Sequence, residues 1–237
     1  MPALPFYIPL LFFLTAAATL LLFDRAVIHS QALPGKKAGS VFLAMIAWLA
    51  IQAALAVNHV YSADTRSLPP KIVLFGIAPP VLVLILLFAT KSGRRFIDRL
   101  PLLRLTWLHA IRIPVEIVLL LLFIHQAVPQ LMTFEGRNFD ILAGLTAPFI
   151  AYYGVKKASL HRRLILAWNF ISLALLLNIV IHAFLSAPSP LQRLAFDRPN
   201  IAILHFPFSW LPTFIVPVVL FSHLAAIRQL IRRQSSD

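Results

Sequence analysis

What most limits the fold of this chain is a series of apolar blocks, each close to bilayer length, with the basic residues gathered in the gaps between them. A helix needs roughly 20 predominantly apolar residues to cross the hydrocarbon core. Seven such blocks can be drawn, at about 4–23, 40–61, 71–90, 105–128, 139–155, 164–185 and 208–227. They are continuous, where a membrane barrel would show short alternating strands, so they read as helices. Charged residues are 12% of the chain, about half the share of a soluble domain, and the mean hydropathy is +0.86. The expected fold class is therefore all-α: a polytopic membrane protein, one transmembrane domain over 1–237, built as a bundle of seven helices.

A net charge of +13 would suit a nucleic-acid binder if the charges covered a soluble surface. Here they sort by side. Arg25, Lys36 and Lys37 follow the first block, and Lys91, Arg94, Arg95, Arg99 and Arg104 follow the third. Lys156, Lys157, Arg162 and Arg163 follow the fifth, and Arg228, Arg232 and Arg233 lie in the tail. The opposite side has Arg66, Lys71, Arg137, Arg193 and Arg198, while Arg112 sits inside the fourth block. This asymmetry predicts the N-terminus outside and the C-terminus inside. The charge is then mainly a topology signal that also attracts anionic lipids at the cytoplasmic face, and nucleic acid is not an expected partner. The first block has no basic n-region and exceeds a typical signal core, so it reads as a retained span. The stretch "SGRRFIDRLPLLR" reads as an interfacial segment with Phe96, Ile97 and Leu100 toward lipid. Short loops and compactness point to a prokaryotic cytoplasmic (inner) membrane.

The chain has no cysteine, which removes disulfides, thiolate metal sites and cysteine nucleophiles. Phosphate-loop, dinucleotide, zinc-protease and serine-hydrolase motifs are absent. No lysine falls in the last block, where a retinal Schiff base would need one, and no receptor motif is legible.

One charged phrase recurs. "FEGRNFDIL" (134–142) and "FDRPNIAIL" (196–204) share Phe, an acid, Asn, Ile and Leu in one frame. Both lie on the outer side, and each follows a block with a histidine near its outer end, His125 and His182. Superposing those histidines sets Arg112 against Asn169, which suggests a parallel duplication of hairpins 4–5 and 6–7, unlike the inverted repeats of many transporters. Two readings of the phrase stand side by side. In the structural one, Asn138 and Asn200 are N-caps, Asp140 meets the dipole of the first turn, Phe134 and Phe196 anchor at the interface, and Glu135 pairs with Arg137. In the functional one, Glu135, Arg137, Asn138, Asp140, Asp197 and Asn200 line an outer vestibule. Trp210 reads as an interfacial anchor near Pro207 and Pro212.

Ionisable groups inside a span are costly and are functional candidates by default. In "WLHAIRIPVEIVLLLLF" of the fourth block, His109, Arg112 and Glu116 share one helical face. Arg112 and Glu116 are spaced for an ion pair, with Pro114 between them. Trp168 and Asn169, and Ser222 and His223, reach a similar inner depth on other blocks. Either an Arg–Glu pair locks helix packing with Asn169 and His223 as interhelical hydrogen bonds, or the group is a substrate or proton site. A second layer of His59, His125, His182 and His205 lies near the outer ends, as a candidate zinc, copper or haem site. Trp48, Gln52 and His59 form a stripe on the second block, and Asn178 and His182 one on the sixth. Pro79, Pro80, Pro114, Pro148, Pro212 and Pro217 lie within blocks, which favours an internal polar path or a moving gate.

The leading functional expectation is a carrier or permease-like handler of a small polar or anionic solute. Arg112 would hold the solute, with Glu116 and His223 titrating. The alternatives are a membrane-embedded enzyme or redox protein, and a non-catalytic subunit of a membrane complex. The sequence implies no particular cofactor.

Overall fold

The structure, a computed structural model, describes residues 2–30 and 33–234, with the side chains of 233 and 234 outside that set. Every regular element among the described residues is helical. The helices are α1 (Tyr7–Ile28), α2 (Gly35–Val57), α3 (Ala78–Ala89), α4 (Lys91–Arg99), α5 (Leu102–Leu108), α6 (Arg112–Ile124), α7 (Ile141–Phe149), α8 (Arg162–Ser186) and α9 (Val216–Gln234). Five continuous helical stretches are long and apolar enough to cross a membrane: α1, α2, α5 with α6, α8, and a stretch from Leu211 through α9. The stretch Val73–Ala89 bends by 92° into α4, and the two make a sixth if the bent pair is counted as one span. The block expected at 139–155 is a shorter apolar helix, Ile141–Lys156.

The main core gathers Ile8, Phe12 and Ala16 of α1 against Val115, Val118, Leu119 and Leu122 of α6, with Phe208 and Phe214 closing it. The rings of Phe12 and Phe208 lie 5.3 Å apart. By contrast α3 is apolar along its length and has no fully buried residue. A helix that is hydrophobic all round needs an apolar solvent if it is not buried. Lipid is the solvent that suits it.

Three departures from α geometry lie just ahead of prolines. Val73–Ile77 is π-helical ahead of Pro79, His109–Ile111 is 3₁₀ ahead of Pro114, and Leu211–Ile215 is π-helical ahead of Pro217. Proline donates no hydrogen bond to the carbonyl four residues earlier, so Pro79 strands Phe75 O and Pro217 strands Thr213 O. Both are recovered by one stripe of α2. Gln52 Nε2 donates to Phe75 O at 3.1 Å, and Trp48 Nε1 to Thr213 O at 2.9 Å. The polar stripe of the second block therefore repairs backbone that the prolines break. Tyr61 donates in turn to Gln52 Oε1 at 2.5 Å. Trp210, expected at the interface, is instead buried and donates to Leu49 O at 3.0 Å. Its indole is needed inside, to hold the π turn against α2.

The two π segments touch at Gly76, where a Cβ would sit 2.5 Å from Thr213 Cγ2. Gly76→Val should lower stability by about 1–3 kcal/mol, the usual range for overpacking. The check is thermal unfolding of the purified protein, and an unchanged midpoint would mean the segments can separate freely.

At the opposite end of the bundle, Ile97 and Leu100 do not face lipid as expected. They are buried against Ala26, Leu105, Phe221 and Ala225. The reason is a clamp from α9. Arg228 bonds both oxygens of Asp98 at 2.9 and 3.1 Å, Arg232 reaches Asp98 Oδ2, and Gln229 Nε2 donates to Ile97 O and Leu100 O. The clamp turns the apolar face of α4 inward. Asp98→Ala should loosen it, costing about 1 kcal/mol for this partly exposed pair. Amide exchange in Lys91–Arg99 should speed up while α6 stays protected.

Candidate functional site

The fourth block carries the three charged or ionisable groups on one face, as expected, and all three are buried: His109, Arg112 and Glu116 are 0%, 2% and 1% exposed. The partners differ from the expected ones. Arg112 does not pair along its own helix with Glu116. Its Nε lies 3.2 Å from Asp140 Oδ2, and its two terminal nitrogens donate to Ser172 O of α8 at 3.2 and 3.3 Å. Glu116 instead accepts from Asn138 Nδ2, at 2.6 and 2.7 Å to its two oxygens.

Both partners come from "FEGRNFDIL", expected on the outer rim. Asn138 is 0% and Asp140 5% exposed, so the phrase dips into the bundle. The local chain explains how. Pro129 opens a 3₁₀ turn, Gln130–Met132, and Thr133 O then accepts from the backbone of both Gly136 and Asn138. Asn138 closes the loop: Nδ2 donates to Met132 O at 3.0 Å and Oδ1 accepts from Asp140 N at 3.0 Å. The expected N-cap role is thus corrected, since the cap position of α7 is Asp140, with no side-chain cap bond. Helix α7 starts deep because it packs on the 3₁₀ turn before α6. Gly144 permits that approach, as a Cβ there would lie 3.1 Å from Arg112 Cβ and 3.1 Å from Ile113 N. Asp140, one turn earlier, is thereby brought onto the guanidinium.

The second phrase behaves differently. Asn200 is also 0% exposed, yet it caps no helix and neither its Oδ1 nor its Nδ2 has a hydrogen-bond partner. Its backbone N–H donates to Ser186 O at 2.8 Å, and nearby Ala202 N donates to Ala127 O at 3.3 Å, tying the ends of α8 and α6. Glu135, Arg137 and Asp197 are exposed. Asn178 of α8 donates to Arg137 O at 2.8 Å, docking the first loop. Arg198 lies over the Phe123 ring at 5.5 Å. The six residues expected in one vestibule therefore divide into an exposed set and a buried set.

Of the cluster expected from Arg112, Glu116, Asn169, His223 and His109, the last three meet one another toward the basic end, whereas Arg112 and Glu116 take the partners above. The imidazoles of His109 and His223 stack with centroids 3.8 Å apart and planes 17° apart. His223 Nδ1 meets Asn169 Oδ1 at 3.0 Å, and Asn169 Nδ2 donates to Ile165 O. Trp168 flanks both rings and donates to Thr146 Oγ1 at 2.9 Å. Because an amide oxygen can only accept, His223 carries its proton on Nδ1. Its Nε2 and both ring nitrogens of His109 have no partner. Stacked rings direct their lone pairs in parallel planes, which is poor geometry for sharing one metal ion.

The outer histidines do not gather as four. His59 and His205 approach, with rings 6.4 Å apart, and burial, together with His59, holds the His205 imidazole below its usual range. His182 Nδ1 is bonded to its own helix at Asn178 O, and His125 is the C-cap of α6. His59 follows α2 at φ 58° and Gln126 follows α6 at φ 60°. Each helix end is closed by a 6→1 bond, Val60 N to Leu55 O and Ala127 N to Leu122 O, the mark of a Schellman stop. These positions thus have a capping role of their own. Among the described residues no group of three or more His, Asp or Glu is arranged to hold a metal ion.

A cavity of about 140 Å³ joins the long loops to the buried acids. Its more exposed end has Asp64 and Lys71, paired at 3.6 Å. Its walls are aliphatic, including Val115 and Leu119 of α6 and Leu176 and Ile179 of α8, and Glu116 and Asp140 line its buried part. Sequence reasoning singled out both carboxylates but not the walls, since ordinary core leucines and valines carry no signal of a void.

The chain matches no curated protein and no solved structure. A protein-family model, described as a domain of unknown function, DUF8737, matches residues 67–231. That stretch includes Arg112, Glu116, Asn138, Asp140, Asn169 and His223 and leaves out α1 and α2. With more than half of its length matched, this chain belongs to the DUF8737 family.

Proposed function

We propose that the protein is a carrier or permease-like handler of a small solute, with the Glu116–Asp140 end of the cavity as its binding site. The observation that carries this reading is the cavity itself: an aliphatic passage from the loops to two buried carboxylates. A packing contact alone needs no such void, because protein interiors are close-packed. Asn138 and Arg112 hold the two acids in place, so Arg112 is a positioning group and not the solute's own partner. In this reading the N-terminus is outside and the C-terminus inside, following the positive-inside asymmetry. Ile141–Lys156 counts as a short seventh crossing below a re-entrant loop, and the membrane is a prokaryotic cytoplasmic one. The two Phe–acid–Asn phrases then descend from a parallel duplication in which only the first kept its contact with the charged site.

The absence of cysteine gives a clean test. In Leu119→Cys, a membrane-impermeant maleimide should label the cavity from either side of a sealed vesicle, and the passing of a solute requires both. Labelling from one side only contradicts the carrier. The stacked His109–His223 pair with its free ring nitrogens favours a second reading, a membrane-embedded enzyme that moves protons there. That activity would need no sealed compartment.

A further inference from the structure

We propose that the cavity takes a small organic cation, an aryl- or alkylammonium whose N–H groups meet Glu116 and Asp140 while its apolar body fills the aliphatic walls. The inference rests on the reading of this cavity as the solute site and names the class of solute.

The buried cluster has too few donors for its acceptors. Asn138 Nδ2 carries two hydrogens but lies within hydrogen-bond distance of three acceptors: both Glu116 oxygens and Met132 O. Asp140 Oδ1, buried in a residue 5% exposed, accepts no hydrogen bond at all. The cluster is therefore short of donors where it lines the cavity, and buried acceptors left without donors are unfavourable. An ammonium brings two or three N–H groups and accepts nothing.

Charge points the same way. A bound ammonium favours the ionised form of both acids, and Arg112, Asp140 and Glu116 then carry one net negative charge that the cation neutralises. Arg112 is engaged by Asp140 and by Ser172 O and is not among the residues lining the cavity. An anionic solute would thus meet carboxylate oxygens rather than the guanidinium. A bare metal ion is poorly matched to the aliphatic walls, and it prefers more oxygen ligands than two side chains offer.

Size completes the argument. Aliphatic cavities of about 150 Å³ accept one benzene ring, which matches the 140 Å³ found here. Asp64 and Lys71 at the exposed end are paired with one another, and Asp140 has Arg112, so Glu116 is the acid along the passage without a cationic partner.

The test is calorimetric titration of the full-length protein in lipid nanodiscs with 2-phenylethylammonium, 2-phenylethanol and 3-phenylpropionate. The ammonium should bind more tightly than either analogue. Glu116→Gln should weaken it by about tenfold or more, as loss of a charge-assisted bond implies, with only a small change in the unfolding midpoint. Leu119→Trp, which fills the cavity and keeps both acids, should abolish binding and serves if Glu116→Gln does not fold. Equal or tighter binding of the alcohol or the carboxylate overturns the proposal, as does binding indifferent to both substitutions. Two-sided labelling of Leu119→Cys without ammonium binding removes the solute class and leaves the carrier. Ammonium binding with one-sided labelling does the reverse.

Discussion

Asp140→Ala is expected to destabilise the protein more than any other single change at the site. It leaves the Arg112 guanidinium, 2% exposed, without its carboxylate. Breaking a buried pair from one side typically costs roughly 3–5 kcal/mol, because the remaining charge stays desolvated. Two hydrogen bonds to Ser172 O remain, but a carbonyl does not neutralise the charge. The unfolding midpoint in detergent should fall sharply, and yield with it. Replacing both partners, Arg112→Met with Asp140→Leu, should recover much of the loss, since apolar residues of similar size often match a buried pair in stability. A single substitution as stable as the wild type would mean that water reaches Arg112 and that the cluster is not dry.

Glu116→Gln is expected to do the opposite: the fold remains and function goes. Gln is close in shape, and its amide oxygen still accepts from Asn138 Nδ2, the bond that ties the loop to α6. What is lost is a negative charge beside a cavity. Stability should change by about 1 kcal/mol or less, the scale of one neutral-for-charged hydrogen bond. Solute binding or transport should fall by about tenfold or more. A strong loss of folding in this variant would place Glu116 with Asp140 as a structural acid. The contrast between the two carboxylates separates the roles, because both line the same cavity but only Asp140 faces the guanidinium.

Much of this arrangement was legible in the residues. Bilayer-length blocks read as helices, and the three-and-four spacing set His109, Arg112 and Glu116 on one buried face. Asn169 and His223 share a depth in the sequence, but which faces of their helices meet cannot be read from depth, and only the fold brings them together. The depth of "FEGRNFDIL" was not legible, because a loop between two apolar blocks is taken to lie at the membrane surface. The clue was length: the block at 139–155 is the shortest of the seven, and a short helix leaves room for a loop to descend. Pairing within one helix was the natural expectation for Arg112 and Glu116, four residues apart. It lost to Asp140, which Gly144 brings in from α7. The prolines marked irregular backbone, but their freed carbonyls and the Trp48 and Gln52 donors belong to different blocks. Only the fold joins them. The sequence points Ile97 and Leu100 at lipid because an amphipathic segment looks the same whether its apolar face meets acyl chains or, as here, Phe221 and Ala225.

The central claim is that Glu116 is a reachable group at the end of a cavity and not a sealed packing contact. Modification of the folded protein with a lipophilic carbodiimide, read by peptide mass spectrometry, tests it most directly. The account predicts an adduct on Glu116 that Leu119→Trp suppresses. A Glu116 that stays unmodified until the protein is unfolded would contradict it.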